Sequence, residues 1–337
     1  MVAIDALLRE RGTTADLGEY VVAVAFSGPS AAFALGDGTL RLMQPGGTWS
    51  TVEAHDGAIL AMEPERDGWV TAGDDGAFRH IGRDGVVTDI ARFGSKWVEQ
   101  VATFHDAKTR LTACAVGKTV HVFANGEKVK SLDHPSTVTG LAFDSKGKRV
   151  AASHYNGVSL WFIAAKVDTP RKLEWKGSHT GIAIHPAGDA VVTSMQENAL
   201  HGWRLTDGQH MRMSGYPAKT ESLSFSRNGR WLASSGADTV VLWPFFGGGP
   251  MGKAPMELAG GDGVQCTRVA FQAQADLLAA GFADGLVLIA DVATERILPA
   301  APPGNGPVTA LAWSPDGGRL AFGTESGFAA VVDLSKR

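Results

Sequence analysis

Two kinds of side chain in this sequence could take part in chemistry: carboxylates in turns and histidines. Four carboxylates follow apolar, strand-like runs inside glycine-containing turns, at Asp37, Asp75, Asp284 and Glu325. If the turns that carry them converge, such carboxylates could act around a metal and hydrolyse a substrate. Asp-Gly pairs are also the residues that tight hairpin turns favour, so a structural role fits the same positions.

The ten histidines suggest a second possibility, a metal-handling protein that uses His154 and His179. Neither residue lies in an HExxH motif or in a Cys/His cluster with the spacing of a zinc site. A GxSxG motif, a Walker loop and a dinucleotide-binding glycine motif are also missing from the sequence. We therefore predict a protein without catalytic residues, metal or cofactor, and keep a hydrolase and a metal-handling protein as alternatives.

Composition limits the kinds of partner and the cellular compartment that we expect. The 337 residues carry a net charge of −4, which gives no electrostatic reason to expect a nucleic acid as partner. No apolar run has the length of a membrane span, and the first twelve residues do not resemble a signal peptide. Cys114 and Cys266 lie in apolar, strand-like runs, which predicts two buried free thiols. These features favour a cytoplasmic protein that binds neither nucleic acid nor membrane.

The candidate residues sit on a repeated unit, which consists of an apolar strand, a turn, a second strand, a Gly/Asp turn and a third strand. The unit recurs about every 41 residues, and the linking segment can supply a fourth strand, as Lys128–His134 would. Eight copies are present: Val21–Met43, Ala58–Ile81, Val98–Phe123, Val138–Trp161, Thr180–Trp203, Glu221–Trp243, Thr267–Asp291 and Val308–Asp333.

The units resemble WD40 repeats in three motifs: the turn SPDG (Ser314–Gly317), the run DGTLRLM (Asp37–Met43) and the strand ending VVLW (Val240–Trp243). The resemblance extends over nearly the whole chain. It implies an all-β fold, a closed WD40-type β-propeller of eight four-stranded blades, with the commoner seven-bladed ring as the alternative. It also implies one domain over residues 1–337, with repeats at about 18–51, 52–90, 91–131, 132–174, 175–213, 214–259, 260–299 and 300–337.

The last repeat has only three strands, and an unpaired outer edge would favour association with other chains. We therefore predict that a strand within residues 1–17 completes the eighth blade. The segment Asp5–Arg11 could instead form a short helical cap, which would leave Thr13–Leu17 as the closing strand.

The resemblance also implies a buried hydrogen-bonded chain in some blades, formed by a linker histidine, a second-strand hydroxyl and the third-strand tryptophan. His134, Ser153 and Trp161 fit one such chain, while Ser234, Asp238 and Trp243 fit a partial one without a histidine. Trp203 occupies the same third-strand position in the fifth repeat. We therefore predict structural roles for these seven residues.

WD40 propellers commonly bind partners on the face formed by the loops that enter each first strand and leave each second strand. At these positions, aromatic, imidazole and basic residues concentrate in repeats three to five, and such residues often dominate binding energies. An alternative for Trp97 is packing between neighbouring blades. The candidate protein-binding residues are Trp97, Glu99, Lys118, His154, Tyr155, His179, Gln196 and Lys219. The predicted function is a non-catalytic protein–protein interaction scaffold that binds a peptide or protein.

Overall fold

The computed structural model describes residues 7–335, and nearly all of their regular structure is β-strand. The strands form eight antiparallel sheets, which confirms the predicted all-β fold with eight propeller blades. Two compact units contain four blades each: one joins the residues up to Glu53 with those from Thr220 onward, and the other is Ala54–Lys219. The repeat boundaries and the single-domain organisation stay predictions.

The elements follow one another blade by blade along the chain. They are α1 (Leu7–Arg11) and β1 (Gly12–Asp16); in blade 1, β2 (Val21–Ser27), β3 (Ser30–Leu35), β4 (Thr39–Met43) and β5 (Trp49–Glu53); in blade 2, β6 (Ile59–Glu65), β7 (Gly68–Gly73), β8 (Ala77–Gly82) and β9 (Val87–Arg92); in blade 3, β10 (Gln100–His105), β11 (Arg110–Val116), β12 (Thr119–Ala124) and β13 (Glu127–Asp133); in blade 4, β14 (Gly140–Phe143), β15 (Arg149–Phe162) and β16 (Arg171–Ser178); in blade 5, β17 (Ala183–Ile184), β18 (Ala190–Met195), β19 (Ala199–Arg204) and β20 (His210–Met213); in blade 6, β21 (Leu223–Phe225), β22 (Trp231–Ser234), β23 (Thr239–Pro244) and β24 (Met256–Gly260); in blade 7, β25 (Cys266–Phe271), β26 (Leu277–Phe282), β27 (Val287–Asp291) and β28 (Arg296–Ala301); and in blade 8, β29 (Val308–Trp313), β30 (Arg319–Thr324) and β31 (Phe328–Asp333).

Blade 4 has four strands, although it contains only the three elements β14, β15 and β16. Its strand β15 is long because it folds back on itself at Asn156 and Gly157, which both have positive φ values. The backbone amide of Ile163 donates to the carbonyl of Lys148, so the two halves of β15 lie side by side. The first half pairs with β14 and the second half pairs with β16.

The N-terminal segment completes blade 8, as the sequence predicts. Strand β1 pairs antiparallel with β31 in a register that runs from Gly12 opposite Val332 to Asp16 opposite Phe328. The helical cap and the later closing strand both occur, because α1 immediately precedes β1. Residues 1–6 of the predicted segment lie outside the described residues.

Each hydrophobic core cluster lies between two consecutive blades. One cluster joins Phe33 of blade 1 to Val331 of blade 8, and another joins Ile289 of blade 7 to Phe322 of blade 8. Close approach requires a small residue: a Cβ added at Gly323 would lie 2.3 Å from a methyl carbon of Val21. The blades therefore bury their apolar faces against each other, since an isolated sheet of this size cannot.

No helix within residues 7–335 is long and apolar enough to cross a membrane, and α1 has only five residues.

We expect that a variant without residues 1–17 melts at a lower temperature and aggregates, because it exposes the outer edge of β31. Differential scanning fluorimetry and light scattering measure both effects. A variant that lacks only residues 1–6 keeps β1 and serves as the control. A long deletion that melts like the full chain would contradict the closing role of β1.

Both cysteines are free and fully buried, Cys114 in β11 and Cys266 at the start of β25. Burial raises the pKa of Cys266 to about 12 and also raises the pKa of Cys114. Because the thiolate is the reactive form, we expect neither thiol to react with a bulky maleimide under native conditions, and both to react after unfolding. Mass spectrometry of the labelled chain measures this, and fast native labelling of both thiols would refute it.

Candidate protein-binding rim

Hydrogen bonds donated by backbone amides hold the linkers and turns at one end of blades 3 to 5. The amide of Val138 donates to the carbonyl of Gly117 at 2.9 Å, and the amide of Tyr155 donates to the Ser136 hydroxyl at 3.0 Å. In blade 5, the amide of Gln196 donates to the carbonyl of Ser178 at 2.9 Å. We call this surface the rim, and it comprises residues 93–99, 117–118, 134–139, 155–157, 178–180, 196–198 and 217–219.

Two large aromatic side chains project from the rim into solvent. Trp97 precedes β10 and Tyr155 lies at the bend of β15, and each is 58% exposed. Such exposure excludes the alternative that Trp97 fills the space between blades. The amide of Val98, next to Trp97, donates to the carbonyl of Gly73, so the backbone beside this side chain is held in place.

The other rim residues differ in accessibility. The side chains of Lys118 and Gln196 are exposed, while Glu99 and Lys219 are half-buried. A pocket of about 270 Å³ lies beside Tyr155, and its wall includes Ser136, Asn156, Lys172 and Glu174. The pocket therefore combines hydroxyl, amide and charged groups with an aromatic edge, a composition that suits the backbone and polar side chains of a peptide.

His154 and His179 differ from the expectation, because both imidazoles are buried. His154 Nδ1 donates to the carbonyl of Tyr155 at 2.9 Å, and its Nε2 accepts from the Ser159 hydroxyl at 3.0 Å. His179 Nδ1 lies 2.7 Å from Thr193 Oγ1, and its Nε2 lies 3.0 Å from the carbonyl oxygen of Trp175. Hydrogen bonds thus occupy all four ring nitrogens, so these two histidines do not present free ligands to a partner or metal.

His134 and Trp161 form the predicted pair in blade 4. The indole Nε1 of Trp161 donates to His134 Nε2 at 3.0 Å, and His134 Nδ1 donates to the carbonyl of Lys118 at 3.1 Å. Burial lowers the pKa of His134 to about 4, which keeps the imidazole neutral and leaves Nε2 as an acceptor at neutral pH. The pair therefore satisfies two buried polar groups and ties blade 4 to the turn of blade 3.

Ser153 does not extend this pair, contrary to the expectation. The amide of Ile163 donates to the carbonyl of Lys148 in blade 4, and the amide of Leu205 donates to the carbonyl of Asp189 in blade 5. Because these two bonds are equivalent, Ala152 of blade 4 occupies the position that Thr193 has in blade 5. Ser153 is the next residue, so its side chain points to the opposite face of the strand. Its hydroxyl lies 3.4 Å from that of Thr139 instead.

The remaining structural residues have separate partners. Trp203 and Trp243 are buried, and the indole of Trp203 donates to the carbonyl of Glu174 at 3.4 Å. The hydroxyl of Ser234 donates to the carbonyl of Val241 at 3.2 Å, and the carbonyl of Asp238 accepts from the amide of Gly261.

Blade 2 contains a hydrogen-bonded chain of three side chains, which we did not predict from the sequence. His55 Nδ1 donates to Asp75 Oδ1 at 2.9 Å, and His55 Nε2 accepts from the Thr71 hydroxyl at 2.9 Å. Burial by itself would raise the pKa of Asp75, but hydrogen bonds from His55 and from the amides of Ala77 and Asp56 hold that pKa below its ordinary value. The sequence signal for this chain was His55, the linker histidine before β6. The signal is weak because Ile81 stands at the third-strand position that a tryptophan usually occupies.

Two of the turn carboxylates bond to their own turns. Asp37 Oδ1 accepts from the amide of Thr39 at 2.9 Å, and Asp284 Oδ1 accepts from the amide of Leu286 at 3.0 Å. At Glu325, the backbone amide donates to the carbonyl of Pro307 at 2.9 Å. Across residues 7–335, no group of three or more His, Cys, Asp or Glu side chains could hold a metal ion.

We expect Trp161→Phe to destabilise the fold by about 1–3 kcal/mol, because it leaves the buried Nε2 of His134 without its donor. Chemical denaturation measures the change in the free energy of unfolding. Trp231→Phe is the control, since Trp231 is only half-buried and loses ring area without losing a described indole hydrogen bond. Equal losses in both variants would show that the indole donor does not matter.

Comparisons with known families match three segments of the chain. The family model of the anaphase-promoting complex subunit 4 WD40 domain matches residues 261–337. The family model of the WD domain, G-beta repeat, matches residues 126–161 and 212–243. These segments include strands of blades 3 to 8, so both units carry recognisable repeats.

Two curated relatives align with part of the chain. Centriole proteome protein 16 of Chlamydomonas reinhardtii is 30% identical over 155 residues, which covers 42% of this chain and 7% of that protein. Small ribosomal subunit protein RACK1y of Oryza sativa subsp. japonica is 26% identical over 144 residues, which covers 42% of each chain. The chain thus matches less than half of the length of either relative.

Among solved structures, the crystal structure of the computationally designed Ika8 protein matches with a TM-score of 0.76. The match covers 94% of this chain and 96% of that chain at 20% sequence identity. At this identity the likeness concerns the fold alone.

Proposed function

Because the chain is a WD40-repeat β-propeller protein, we propose that it is a non-catalytic scaffold that binds a peptide or protein partner on its rim. The observation that carries the proposal is the exposure of Trp97 and Tyr155 on loops whose backbones are hydrogen-bonded in place. Large aromatic side chains contribute strongly to binding because they bury much area and lose little conformational entropy. A fixed backbone lowers the entropic cost further.

Charged and polar side chains on the rim and in the pocket beside Tyr155 indicate the kind of partner. Lys118, Lys172 and Lys219 are positive, Glu99 and Glu174 are negative, and the pocket beside Tyr155 offers hydroxyl and amide groups. We propose a partner segment of mixed charge with an apolar anchor, held by aromatic contacts and by polar contacts at the edge. His154 and His179 support this surface from within, because their hydrogen bonds fix the bend and the linker beside it.

The printed names of the matched proteins support an assembly role. They describe an anaphase-promoting complex subunit, a small ribosomal subunit protein and a centriole protein, and each name places that protein within a larger assembly. A hydrolase is less well supported, because Asp37, Asp75 and Asp284 each bond within a turn or to a neighbouring histidine. A cytoplasmic location stays a prediction.

We expect Trp97→Ala and Tyr155→Ala to weaken partner binding about thirtyfold or more, which corresponds to about 2 kcal/mol, without a loss of stability. The partner is first captured from the native organism by cross-linking and affinity purification, and its affinity for each variant is then measured by biolayer interferometry. Melting temperatures of the same samples report on folding.

Phe162→Ala is the matched control, because Phe162 is 56% exposed at the other end of β15, away from its bend. The control variant should bind like the unchanged protein. If all three variants bind alike at unchanged melting temperature, the rim does not hold the partner.

A further inference from the structure

The outer strand of blade 7 exposes an apolar surface at a sheet edge. In β28, Ile297 and Leu298 are 47% and 49% exposed. By contrast, the outer strand of blade 3 flanks its exposed Val129 with Lys128 and Lys130. Charged residues at sheet edges prevent unwanted association, so consecutive exposed apolar residues on such an edge indicate a binding surface.

These two side chains form one wall of an apolar groove. The groove has a volume of about 560 Å³, and Leu7 of α1, Ile289 of β27 and Leu334 contribute further apolar surface to it. This volume lies in the range of ligand-binding pockets, so side chains of a partner fit beside Leu7–Arg11.

The edge of β28 is unsuited to pairing with another strand. Pro299 has no backbone N–H, and a register shift at Val287 and Leu288 interrupts the ladder on its inner side. Recognition must therefore depend on side chains, which favours the apolar face of an amphipathic helix over an added strand.

The charged residues that line the groove indicate the charge that a partner helix would carry. Arg11 and Arg296 line it, while Asp291 is the one acidic residue among the described lining. Hydrogen bonds from the amides of Thr294 and Ala293 lower the pKa of Asp291, and so does the charge of Arg296, which lies opposite it in the β27–β28 register. The described lining therefore carries one net positive charge, which is complementary to acidic residues near Arg11.

We propose that this groove, formed by α1, blade 7 and the end of blade 8, binds an acidic amphipathic helix of a partner protein. The helix places its apolar face on Ile297 and Leu298 and its acidic residues near Arg11. This surface lies on blades 7 and 8 and the rim lies on blades 3 to 5, so the two proposed docking sites share no residues.

The test uses a fluorescein-labelled synthetic helix of about five turns, with leucine along one face and glutamate elsewhere, and fluorescence anisotropy of the full chain. A peptide with lysine in place of glutamate is the control probe. We expect the acidic peptide to bind at least tenfold more tightly than the basic one, and Leu298→Ser to weaken its binding at least tenfold. Arg11→Gln should reduce the preference for the acidic peptide.

Val129→Ser is the matched control variant, because Val129 is 45% exposed on the outer strand of blade 3. It should leave the affinity of the acidic peptide unchanged. Equal binding of both peptides, or equal binding to Leu298→Ser, would overturn the proposal.

Two further outcomes would assign the groove to another occupant and also overturn the proposal. A dimer of the unchanged chain that Leu298→Ser dissociates, observed by analytical ultracentrifugation, would show that a second copy fills the groove. Binding of the acidic peptide only to a variant without residues 1–6 would show that the chain's own first residues occupy it.

Discussion

Burial of blade faces against neighbouring blades is the constraint on which the rest of this structure depends. A four-stranded sheet has two apolar faces and can bury neither alone, and each hydrophobic cluster here draws its residues from two consecutive blades. The close contact of Gly323 with Val21 shows how tightly blades 8 and 1 pack. Because the cores lie between blades, the loops at the strand ends are free to vary in sequence and to carry binding residues.

Buried hydrogen-bonded histidines stiffen the ends of the blades in different ways. His55 joins Asp75 and Thr71 in blade 2, while His134 joins Trp161 to the turn of blade 3. Desolvation is the largest influence on both imidazoles and lowers their pKa values. Neutral, satisfied imidazoles fix the linkers without placing a charge in the interior, and His134 does so at the rim, where it bonds to Lys118.

The two proposed binding surfaces differ in their physical basis. The rim presents isolated aromatic side chains among charges of both signs, which suits an extended segment with mixed polar contacts. The groove beside α1 presents contiguous aliphatic surface with positive charges at its edge, which suits a helix. We therefore expect the two proposed surfaces to select partners of different chemistry.

The sequence alone determined the all-β fold, the eight blades and the strand that completes blade 8. These features follow from local patterns, since strand alternation and Gly/Asp turns repeat about every 41 residues and the last unit lacks one strand. The burial of Cys114 and Cys266 was predictable for the same reason, because both lie within apolar strand runs.

Only the tertiary structure decided which side chains are available for binding. Trp97 and His179 both lie in linkers before a first strand, yet the indole is exposed and the imidazole is buried. Ser153 lies one residue beyond Ala152, the position from which a hydroxyl would face the pair of His134 and Trp161. Because side chains alternate along a strand, this shift of one residue puts the Ser153 hydroxyl on the opposite face. The groove joins Leu7, Ile289 and Leu334, which are far apart in the chain. The exposure of a residue depends on the elements that pack around it, and those elements are distant from it in the sequence.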